Sequence, residues 1–405
     1  MNSDIQTRRL PIAALKPAKY NPRKNLKPGD PAYEKIRRSL KDFGYVDPII
    51  WNEVTGNIVG GHQRFNVLKA EGATEVDCVV VHLENENDEK ALNLALNKAT
   101  GDWEPVALAE LIQGLQLNGY DVDATGFDAA EVDDLFSRVH DKAVRDDNIS
   151  FDPAAIAPFV QAGDLWVLGR HRLYCGEPSS AEDMARLMDS KKANLVVTDP
   201  PVGADWSRAE DKDIEDYVDY LGCVFSAMTQ HLVDGGSAYV FHKDEDSVST
   251  REAFKMAGFH LSGVCVWLHE GKQTSRGYRS GHEPVLYGWL PRGKHRWFSD
   301  RKQTTVWRFD RPELTGDAPD VKPVPLLAYP IRNSSAPNGI VLDPFGRMGG
   351  TLIACEQLDR LCRSMEKDMR LASVIVRRYI EFKGKADDVT VERDGQIIRY
   401  EDAAN

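Results

Sequence analysis

Two short turns in the sequence place a carboxylate next to proline at the end of an apolar, strand-like run. Asp199-Pro200-Pro201 follows NLVV, and residues 343–346 (DPFG) follow GIVL. In an open α/β sheet, ligands bind beyond the carboxyl ends of the strands, and proline stiffens such a turn by fixing φ. Either turn alone is a common way to end a strand. Two of them in one sheet favour a ligand site.

A DPP turn is suited to holding an exocyclic amino group, such as that of adenine or cytosine. The carboxylate of Asp199 and the carbonyl of Pro200 would accept the amino protons with little side-chain freedom. An aromatic residue after the second proline would stack on a base taken out of its helix, but Val202 stands there. Loss of a stacked base costs about 1–3 kcal/mol. We therefore expect weakened base binding at this turn.

The composition excludes several classes of protein. The 405 residues carry a formal net charge of -12, which excludes a protein that coats DNA by charge alone, so any phosphate contact must come from a local basic patch. No signal peptide and no apolar run of roughly 20 residues is found, and we expect no membrane contact and a cytoplasmic location. Six cysteines without CxxC or zinc-type spacing predict buried thiols and no metal site.

The chain divides into three parts by pattern. Residues 1–139 mix short strands with helices, which predicts an α+β domain with trailing helices, and residues 140–152 lack periodicity and predict a linker. From residue 153 to 405, strand-like runs alternate with helical spacing. This alternation predicts an α/β fold with a mostly parallel, doubly wound sheet. A hairpin is expected around Asp394 and Gly395.

From about residue 160 to 385 the chain resembles the DNA amino-methyltransferases of the N6-adenine/N4-cytosine type, which use S-adenosylmethionine. The catalytic motif of that family, DPPY or an aromatic variant, appears as DPPV, and its cofactor motif, DPF with a Gly-Ser-Gly core, appears later as DPFGRMGG, in the order of the beta class. The resemblance implies a Rossmann-like methyltransferase fold and catalysis at Asp199, Pro200 and Pro201. The cofactor-binding residues that it implies are Asp343, Phe345, Gly346, Gly349, Glu366 and Lys322.

The first domain resembles the ParB/sulfiredoxin-like domain often fused to such methyltransferases, through NPRK at 21–24, FGYVDPII at 43–50 and GGHQR at 60–64. The resemblance implies that a nucleotide triphosphate binds at Gly60, Gly61, His62 and Arg64. Backbone amides freed by glycine, together with a guanidinium, form an anion site. A hairpin-to-helix turn in which His62 is an N-terminal cap is an equally open alternative.

Basic residues crowd the segment at about 269–311, where the resemblance places target recognition. With Tyr278, Trp297 and Trp307 among them, they predict contacts with double-stranded DNA. The alternative is a solvated loop whose tryptophans pack its base. The candidate DNA-binding residues are Arg276, Arg279, Arg292, Lys294, Arg301 and Lys302. A homodimer is a further hypothesis.

Several residues depart from the family pattern at positions expected to face ligands. Arg347 and Met348 stand where the family has Gly and Ser, and an arginine there would fill the turn or repel a sulfonium. Asp320 replaces a common Thr or Ser, and GYRSGHEP is less aromatic than expected. Three hypotheses follow: a DNA amino-methyltransferase, a DNA-binding relative that has lost methyl transfer, and a nucleotide-binding switch anchored to DNA by the second domain.

Overall fold

The computed structural model describes residues 6–98, 103–117, 120, 122–128, 131–132, 135–136, 139, 144–147, 149, 152–203, 206–207, 213–272, 278, 280–300, 302–311 and 321–404. The chain divides into two compact units, Met1–Val139 and His140–Asn405. Each unit has a sheet of its own.

The first unit is an α+β structure around one mixed sheet. Its strands are β1 (Thr7–Pro11), β2 (Lys16–Pro17), β3 (Ile49–Asn52), β4 (Asn57–Gly60) and β5 (Glu75–Val81). They lie in the order β1-β5-β3-β4-β2. Its helices are α1 (Pro31–Phe43), α2 (His62–Ala70), α3 (Glu86–Asn97) and α4 (Pro105–Leu117). Ile49, Ile58 and Phe65 are buried between the sheet and its helices. The last of the expected trailing helices, at 128–139, lies partly outside the described residues.

The second unit contains the large sheet. Its strands are β6 (Leu165–Leu168), β7 (His171–Tyr174), β8 (Ala193–Thr198), β9 (Leu232–Phe241), β10 (His260–Lys272), β11 (Ser280–Trp289), β12 (Val306–Arg308), β13 (Ile340–Asp343), β14 (Leu361–Met365), β15 (Val389–Arg393) and β16 (Gln396–Arg399). They lie in the order β12-β10-β11-β9-β8-β13-β14-β7-β6-β15-β16. The α/β prediction is confirmed, with one correction. Parallel pairing runs through the central strands from β9 to β7, whereas the flanks beyond them are mainly antiparallel.

Helices cover both faces of this sheet. They are α5 (Ala181–Met188), α6 (Ile214–His231), α7 (Ser247–Met256), α8 (Val324–Ser334), α9 (Gly350–Gln357), α10 (Met369–Lys383) and α11 (Tyr400–Ala403). On β8, Leu195 and Val197 join one hydrophobic cluster and Val196 joins the other. Alternate side chains of a strand point to opposite faces, so a strand buried on both faces is apolar throughout. The run NLVV is therefore a central strand of a doubly wound sheet.

The expected linker at 140–152 is anchored to the second unit in its described part. The guanidinium of Arg378 donates to both carboxylate oxygens of Asp147, from Nε to Oδ2 at 2.7 Å and from Nη2 to Oδ1 at 2.6 Å. Asp146 accepts a hydrogen bond from the backbone N–H of Val324 at 2.7 Å. These partners of Asp146 and Asp147 are distant in sequence, so the charged, aperiodic stretch at 140–152 does not reveal them.

The cysteine prediction needs one correction. All six cysteines are free and five are buried, but Cys223 is exposed. Its neighbours Leu221, Val224 and Phe225 form the buried face of α6, which leaves Cys223 on the outer face. Within the described ranges, no group of three or more His, Cys, Asp or Glu residues could hold a metal ion. The helices in those ranges are all too short or too polar to cross a membrane.

Candidate active site

The two proline turns meet at one edge of the sheet. Strands β8 and β13 are parallel neighbours, with Leu195 beside Val341 and Val196 beside Leu342. Their carboxyl ends therefore lie side by side, and the hydroxyl of Thr198 donates to Oδ1 of Asp343 at 2.9 Å. The structure thus brings Asp199 and Asp343 into one region, as the sequence pattern predicts.

Two cations hold the Asp199 carboxylate. Nζ of Lys322 lies 2.7 Å and Nη1 of Arg347 lies 3.3 Å from the same oxygen, Oδ2. Burial raises the pKa of Asp199, but the charges of Lys322 and Arg347 outweigh burial and keep the pKa below its usual range. Asp199 is therefore an ionised hydrogen-bond acceptor at neutral pH and a weak base.

Lys322 contacts carboxylates from two elements. Its ammonium is mostly buried and also lies 2.7 Å from Oε1 of Glu283. It stands 4.8 Å over the ring of Phe241. Lys322 also lines a small space beside Asp343 and Gly346, and its expected role in cofactor binding stays a prediction.

Glu283 and Lys243 belong to the same network and were missed by the sequence argument. Glu283 lies on β11, is 2% exposed, and its Oε2 lies 3.1 Å from Nζ of Lys243, just after β9. Buried carboxylates are rare unless paired. A glutamate that precedes the apolar run PVLYGW, and a lysine at the end of a buried strand, were the available signals.

The second turn carries a strained residue. Arg347 has φ of 47°, a left-handed conformation that costs an L-residue roughly 1–2 kcal/mol. Its backbone N–H donates to Oε2 of Glu366 at 2.7 Å, which fixes the turn against the end of β14. Gly349 has φ of 76° and begins α9 without a side-chain cap. The backbone thus adopts at Arg347 a shape that glycine adopts without strain.

Gly346 is required by packing. A Cβ at this position would lie 2.4 Å from Oγ of Ser364, a distance that real Cβ atoms essentially never show. The crowding comes from the neighbouring strand β14. Glycine at 346 therefore serves the close approach of turn and sheet.

Two buried carboxyls border the turn. Burial raises the pKa of Asp343 to about 7, and burial likewise raises the pKa of Glu366 to about 7. Asp343 also accepts from the N–H of Phe345 at 3.2 Å, and Oε1 of Glu366 accepts from the N–H of Asp368 at 2.9 Å. Both groups change protonation near neutral pH.

Met348 is a core residue that also lines a small space beside Asp343. It is 3% exposed and packs with Val321 and Val374. Its carbonyl accepts from the guanidinium of Arg378 at 2.6 Å. Asp320, the other departure near Lys322, lies outside the described residues.

Two cavities open beside the turns. A cavity of about 640 Å³ is lined by Trp206, Pro344, Phe345, Glu366 and other residues, and one of about 310 Å³ is lined by Tyr217, Phe241, His242, Lys243 and others. Four residues line both: Asp199, Pro201, Val202 and Arg347. A third space of only about 30 Å³ lies against Asp343, Gly350 and Thr351. Asp199 and Arg347 thus form the shared wall.

The aromatic side chains are distributed differently from the family pattern. Trp206, four residues after Val202, lines the larger cavity and stacks on Tyr220 with ring centroids 5.0 Å apart. In the smaller cavity, the described aromatic rings are Tyr217 and Phe241, and the Tyr217 hydroxyl donates to the Pro201 carbonyl at 2.7 Å. The sequence pattern did not identify Trp206 as a cavity residue.

The described residues fit the adenosyl part of S-adenosylmethionine. Phe345, Pro344 and Trp206 supply apolar and aromatic surface, and Glu366 supplies a carboxylate at the same cavity. A cavity of this kind, mostly apolar with a few polar groups, is typical of small-molecule sites. The guanidinium of Arg347 adds a positive charge at the wall toward Asp199.

The basic segment is only partly described. Arg276, Arg279 and Arg301 lie outside the described residues. Arg292, Lys294 and Lys302 are exposed. Trp307 is 3% exposed and its Nε1 donates to the Thr304 carbonyl, which fits the alternative in which a tryptophan packs the base of the loop.

The glycine turn of the first unit joins β4 to α2. Gly61 has φ of 86° and begins α2 without a side-chain cap. Arg64 donates to the carbonyl of Asp47 at 2.6 Å and pairs with its carboxylate. A Cβ at Gly61 would lie 3.2 Å from the Ile49 side chain. Gly60 ends β4 and is buried, whereas Gly61 and Arg64 are half-buried.

His62 is buried at the start of α2. It is 6% exposed, and its Nε2 accepts from the N–H of Ala18 at 3.3 Å. Burial lowers its pKa to about 4, so the ring is neutral at pH 7. It is the first helical residue and makes no cap, which corrects the capping alternative. Its Nδ1 is buried without a hydrogen-bond partner among the described residues, and its expected role in phosphate binding stays a prediction.

Comparison with known families covers most of the chain. Residues 193–377 match the family described as DNA methylase. Residues 2–98 match the ParB N-terminal domain, and residues 106–162 match the ParB-methyltransferase HTH domain. The last match spans the stretch interpreted as trailing helices and linker.

Individual relatives match parts of the chain. A probable chromosome-partitioning protein ParB of Vibrio cholerae is 31% identical over 121 residues, 29% of this chain and 40% of the relative. The type II methyltransferase M2.MboI of Moraxella bovis is 33% identical over 86 residues, 20% of this chain and 32% of the relative. The chain thus spans less than half the length of these curated relatives.

Solved methyltransferases overlay on about half of the chain. The M1.HpyAVI–SAM complex has a TM-score of 0.42 at 17% identity and covers 51% of this chain and 98% of its own. The cytosine-N4-specific PvuII DNA methyltransferase has a TM-score of 0.43 at 16% identity, and the overlay covers 53% of this chain and 94% of the PvuII enzyme.

Proposed function

Since the chain joins a ParB N-terminal domain and a ParB-methyltransferase HTH domain to a DNA methylase domain, we propose that it is a DNA amino-methyltransferase. It transfers a methyl group from S-adenosylmethionine to the exocyclic amino group of adenine or cytosine. The observation that carries the proposal is the pair of cavities that share Asp199 in one wall. One cavity suits an adenosyl group, and the other is bounded by the DPP turn.

The donor would be held by Asp343, Phe345, Gly346, Gly349 and Glu366, and it supplies an electrophilic methyl group. Glu366 accepts hydrogen bonds from the ribose hydroxyls when it is ionised. Phe345 and Trp206 cover apolar surface of the adenosyl group. Gly346 and Gly349 keep the backbone close to β14 and to the start of α9.

The target base would lie against the DPP turn. Asp199 and the Pro200 carbonyl accept hydrogen bonds from the amino group and direct the nitrogen lone pair toward the donor. Because Lys322 and Arg347 keep Asp199 ionised, it orients the amine, and the amine proton leaves to solvent. Catalysis on this scheme comes from positioning and electrostatics.

DNA is the proposed macromolecular partner, in its double-stranded form. The exposed Arg292, Lys294 and Lys302 supply part of a basic surface, with Arg276, Arg279 and Arg301 in the same segment of sequence. Phosphate contacts of this kind weaken steeply with salt. A homodimer is proposed as the assembly to test by light scattering.

The test is mass spectrometry of nucleosides from DNA of cells that express the protein. We expect methylated adenine or cytosine, and its loss in an Asp199→Asn variant. A signal that appears only in an Arg347→Gly, Val202→Tyr double variant would show that the natural chain has lost transfer and acts as a DNA-binding relative. Absence of methylated base in both chains contradicts the proposal.

A nucleotide-binding role of the first unit is a second candidate. It is favoured by the ParB N-terminal match and by the uncapped start of α2 beside Arg64. The two residues that would meet phosphates first are Gly61 and Arg64. We expect nucleoside triphosphates to raise the melting temperature of the full chain, and less so in an Arg64→Met variant. No shift with any of the four common triphosphates contradicts this role.

A further inference from the structure

Arg347 holds a positive charge where the two cavities meet. Its guanidinium contacts Asp199 and lines both the larger and the smaller cavity. The donated group must cross this wall, because the cavity proposed for the donor lies on one side and the smaller cavity proposed for the base lies on the other. If the proposed function holds, the positive charge of Arg347 therefore faces the group that is transferred.

Of the two cations at Asp199, Arg347 is the one that can exchange its partner. Lys322 is 8% exposed and bridges Asp199 and Glu283 at 2.7 Å each, whereas the Arg347 side chain is 34% exposed and lies 3.3 Å from Asp199. If Arg347 turns to a ligand, Asp199 keeps Lys322 as its counter-ion. The Asp199 carboxylate therefore stays paired in this exchange.

The backbone at Arg347 is held in place, so a backbone movement cannot carry the guanidinium out of the site. The N–H of Arg347 is bonded to Glu366, and the turn is closed by Gly349 and by the crowding at Gly346. The Cβ of Arg347 is therefore fixed, and only its side chain can move. A guanidinium in this place opposes a sulfonium and matches a carboxylate, which it can bind with two parallel hydrogen bonds.

We infer that the site selects an adenosyl sulfonium donor whose transferable carbon bears a carboxylate, with Arg347 as the residue that binds this carboxylate. With such a donor, the amino nitrogen forms a bond to the carboxymethyl carbon. The carbon–sulfur bond breaks with its electron pair on sulfur, and one amine proton leaves to water. The base gains a carboxymethyl group and S-adenosylhomocysteine is released.

Calorimetry on the full-length protein tests this selectivity with three probes: S-adenosylmethionine, carboxy-S-adenosylmethionine and the uncharged thioether S-adenosylhomocysteine. We expect the carboxylated donor to bind at least tenfold more tightly than S-adenosylmethionine. Arg347→Gln, which removes the charge at similar size, should reduce the ratio below threefold, whereas Arg347→Lys should retain part of it. Melting curves of each variant verify that it is folded.

The outcomes separate this inference from the proposed function. If S-adenosylhomocysteine binds but the two sulfonium donors differ by less than threefold, or if Arg347→Gln keeps the preference, donor selection by Arg347 is wrong and methyl transfer stands. If none of the three probes binds to the protein or its variants, both proposals fail. Mass spectrometry of treated DNA then distinguishes carboxymethylated from methylated bases as the product.

Discussion

The glycine turn before α2 and the DPFGRMGG turn before α9 begin their helices in the same way but distribute backbone strain differently. Both helices begin after a left-handed glycine without a side-chain cap, Gly61 or Gly349. Before α2 the positive φ falls on glycine, whereas before α9 Arg347 also takes a positive φ. Each turn has an arginine paired with an aspartate, Asp47 for Arg64 and Asp199 for Arg347.

The two arginine–aspartate pairs differ in burial. Asp47 is largely exposed, so the first pair is a surface contact, but Asp199 is mostly buried and shared with Lys322. Strain and buried charge tend to occur together at functional sites. The turn before α9 has a strained residue, Arg347, and a buried carboxylate, Asp199. The turn before α2 has its positive φ on glycine and an exposed carboxylate. This difference favours a functional site at the wall between the two cavities.

The largest expected effect is on the buried network. Lys322→Met removes the shortest ion pair of both Asp199 and Glu283, at 2.7 Å each, and leaves Arg347 at 3.3 Å and Lys243 at 3.1 Å as their counter-ions. We expect a loss of about 3 kcal/mol in the free energy of unfolding, the lower end for a broken buried pair. Denaturation with urea measures it. Arg64→Met at the first turn should cost about 0–1 kcal/mol because its partner is exposed. Equal losses of unfolding free energy in Lys322→Met and Arg64→Met would contradict the conclusion that only the second turn depends on a buried ion pair.

Because of Asp343, we expect the free energy of unfolding to fall as the pH rises. Its pKa of about 7 in the fold exceeds the unfolded value, so the folded state binds the extra proton between about pH 4 and pH 7. Stability contributed by the protonated form is lost across this window, by roughly 4 kcal/mol at most. Relative to wild type, Asp343→Asn should therefore gain stability between pH 4 and pH 7 in melting experiments. A stability difference between Asp343→Asn and wild type that stays constant from pH 4 to pH 7 would contradict this prediction. Asp47→Asn, at an exposed aspartate, is the control.

Arg347→Gly and Arg347→Gln separate strain from charge. Both variants lose the ion pair with Asp199, but only glutamine keeps a side chain at positive φ. We expect the glycine variant to be more stable by about 1 kcal/mol, as left-handed conformations cost L-residues roughly that amount. Chemical denaturation measures the difference. The converse change, Gly61→Ala, should destabilise the first turn, and a neutral result there would weaken the argument from φ.

The smallest effect concerns Glu366 and donor binding. Its pKa of about 7 means that it ionises as the pH rises from 6 to 8. An ionised carboxylate accepts hydrogen bonds more strongly, so affinity for S-adenosylhomocysteine should rise about threefold, or roughly 0.6 kcal/mol. Calorimetry at the two pH values measures it. The rise should be absent in Glu366→Gln, and its persistence would assign the pH dependence to another group.

Much of the second unit could be predicted from its sequence. Apolar runs such as NLVV and GIVL end at carboxylates, and a parallel sheet brings such ends together, which placed Asp199 beside Asp343. Residues fixed by partners distant in sequence could not be found in this way. Glu283 and Lys243 become site residues only because β11 pairs with β9. The burial of His62 and Met348 was not predicted, because burial depends on neighbours that spacing does not reveal.

Transfer of tritiated methyl groups from S-adenosylmethionine to DNA by the purified chain tests the central claim most directly. The account predicts that label enters the amino group of adenine or cytosine, that Asp199→Asn abolishes it, and that Arg347→Gly increases it. Label that persists in Asp199→Asn, or no label from either the natural chain or Arg347→Gly, would contradict a methyl-transfer site at the wall formed by Asp199 and Arg347.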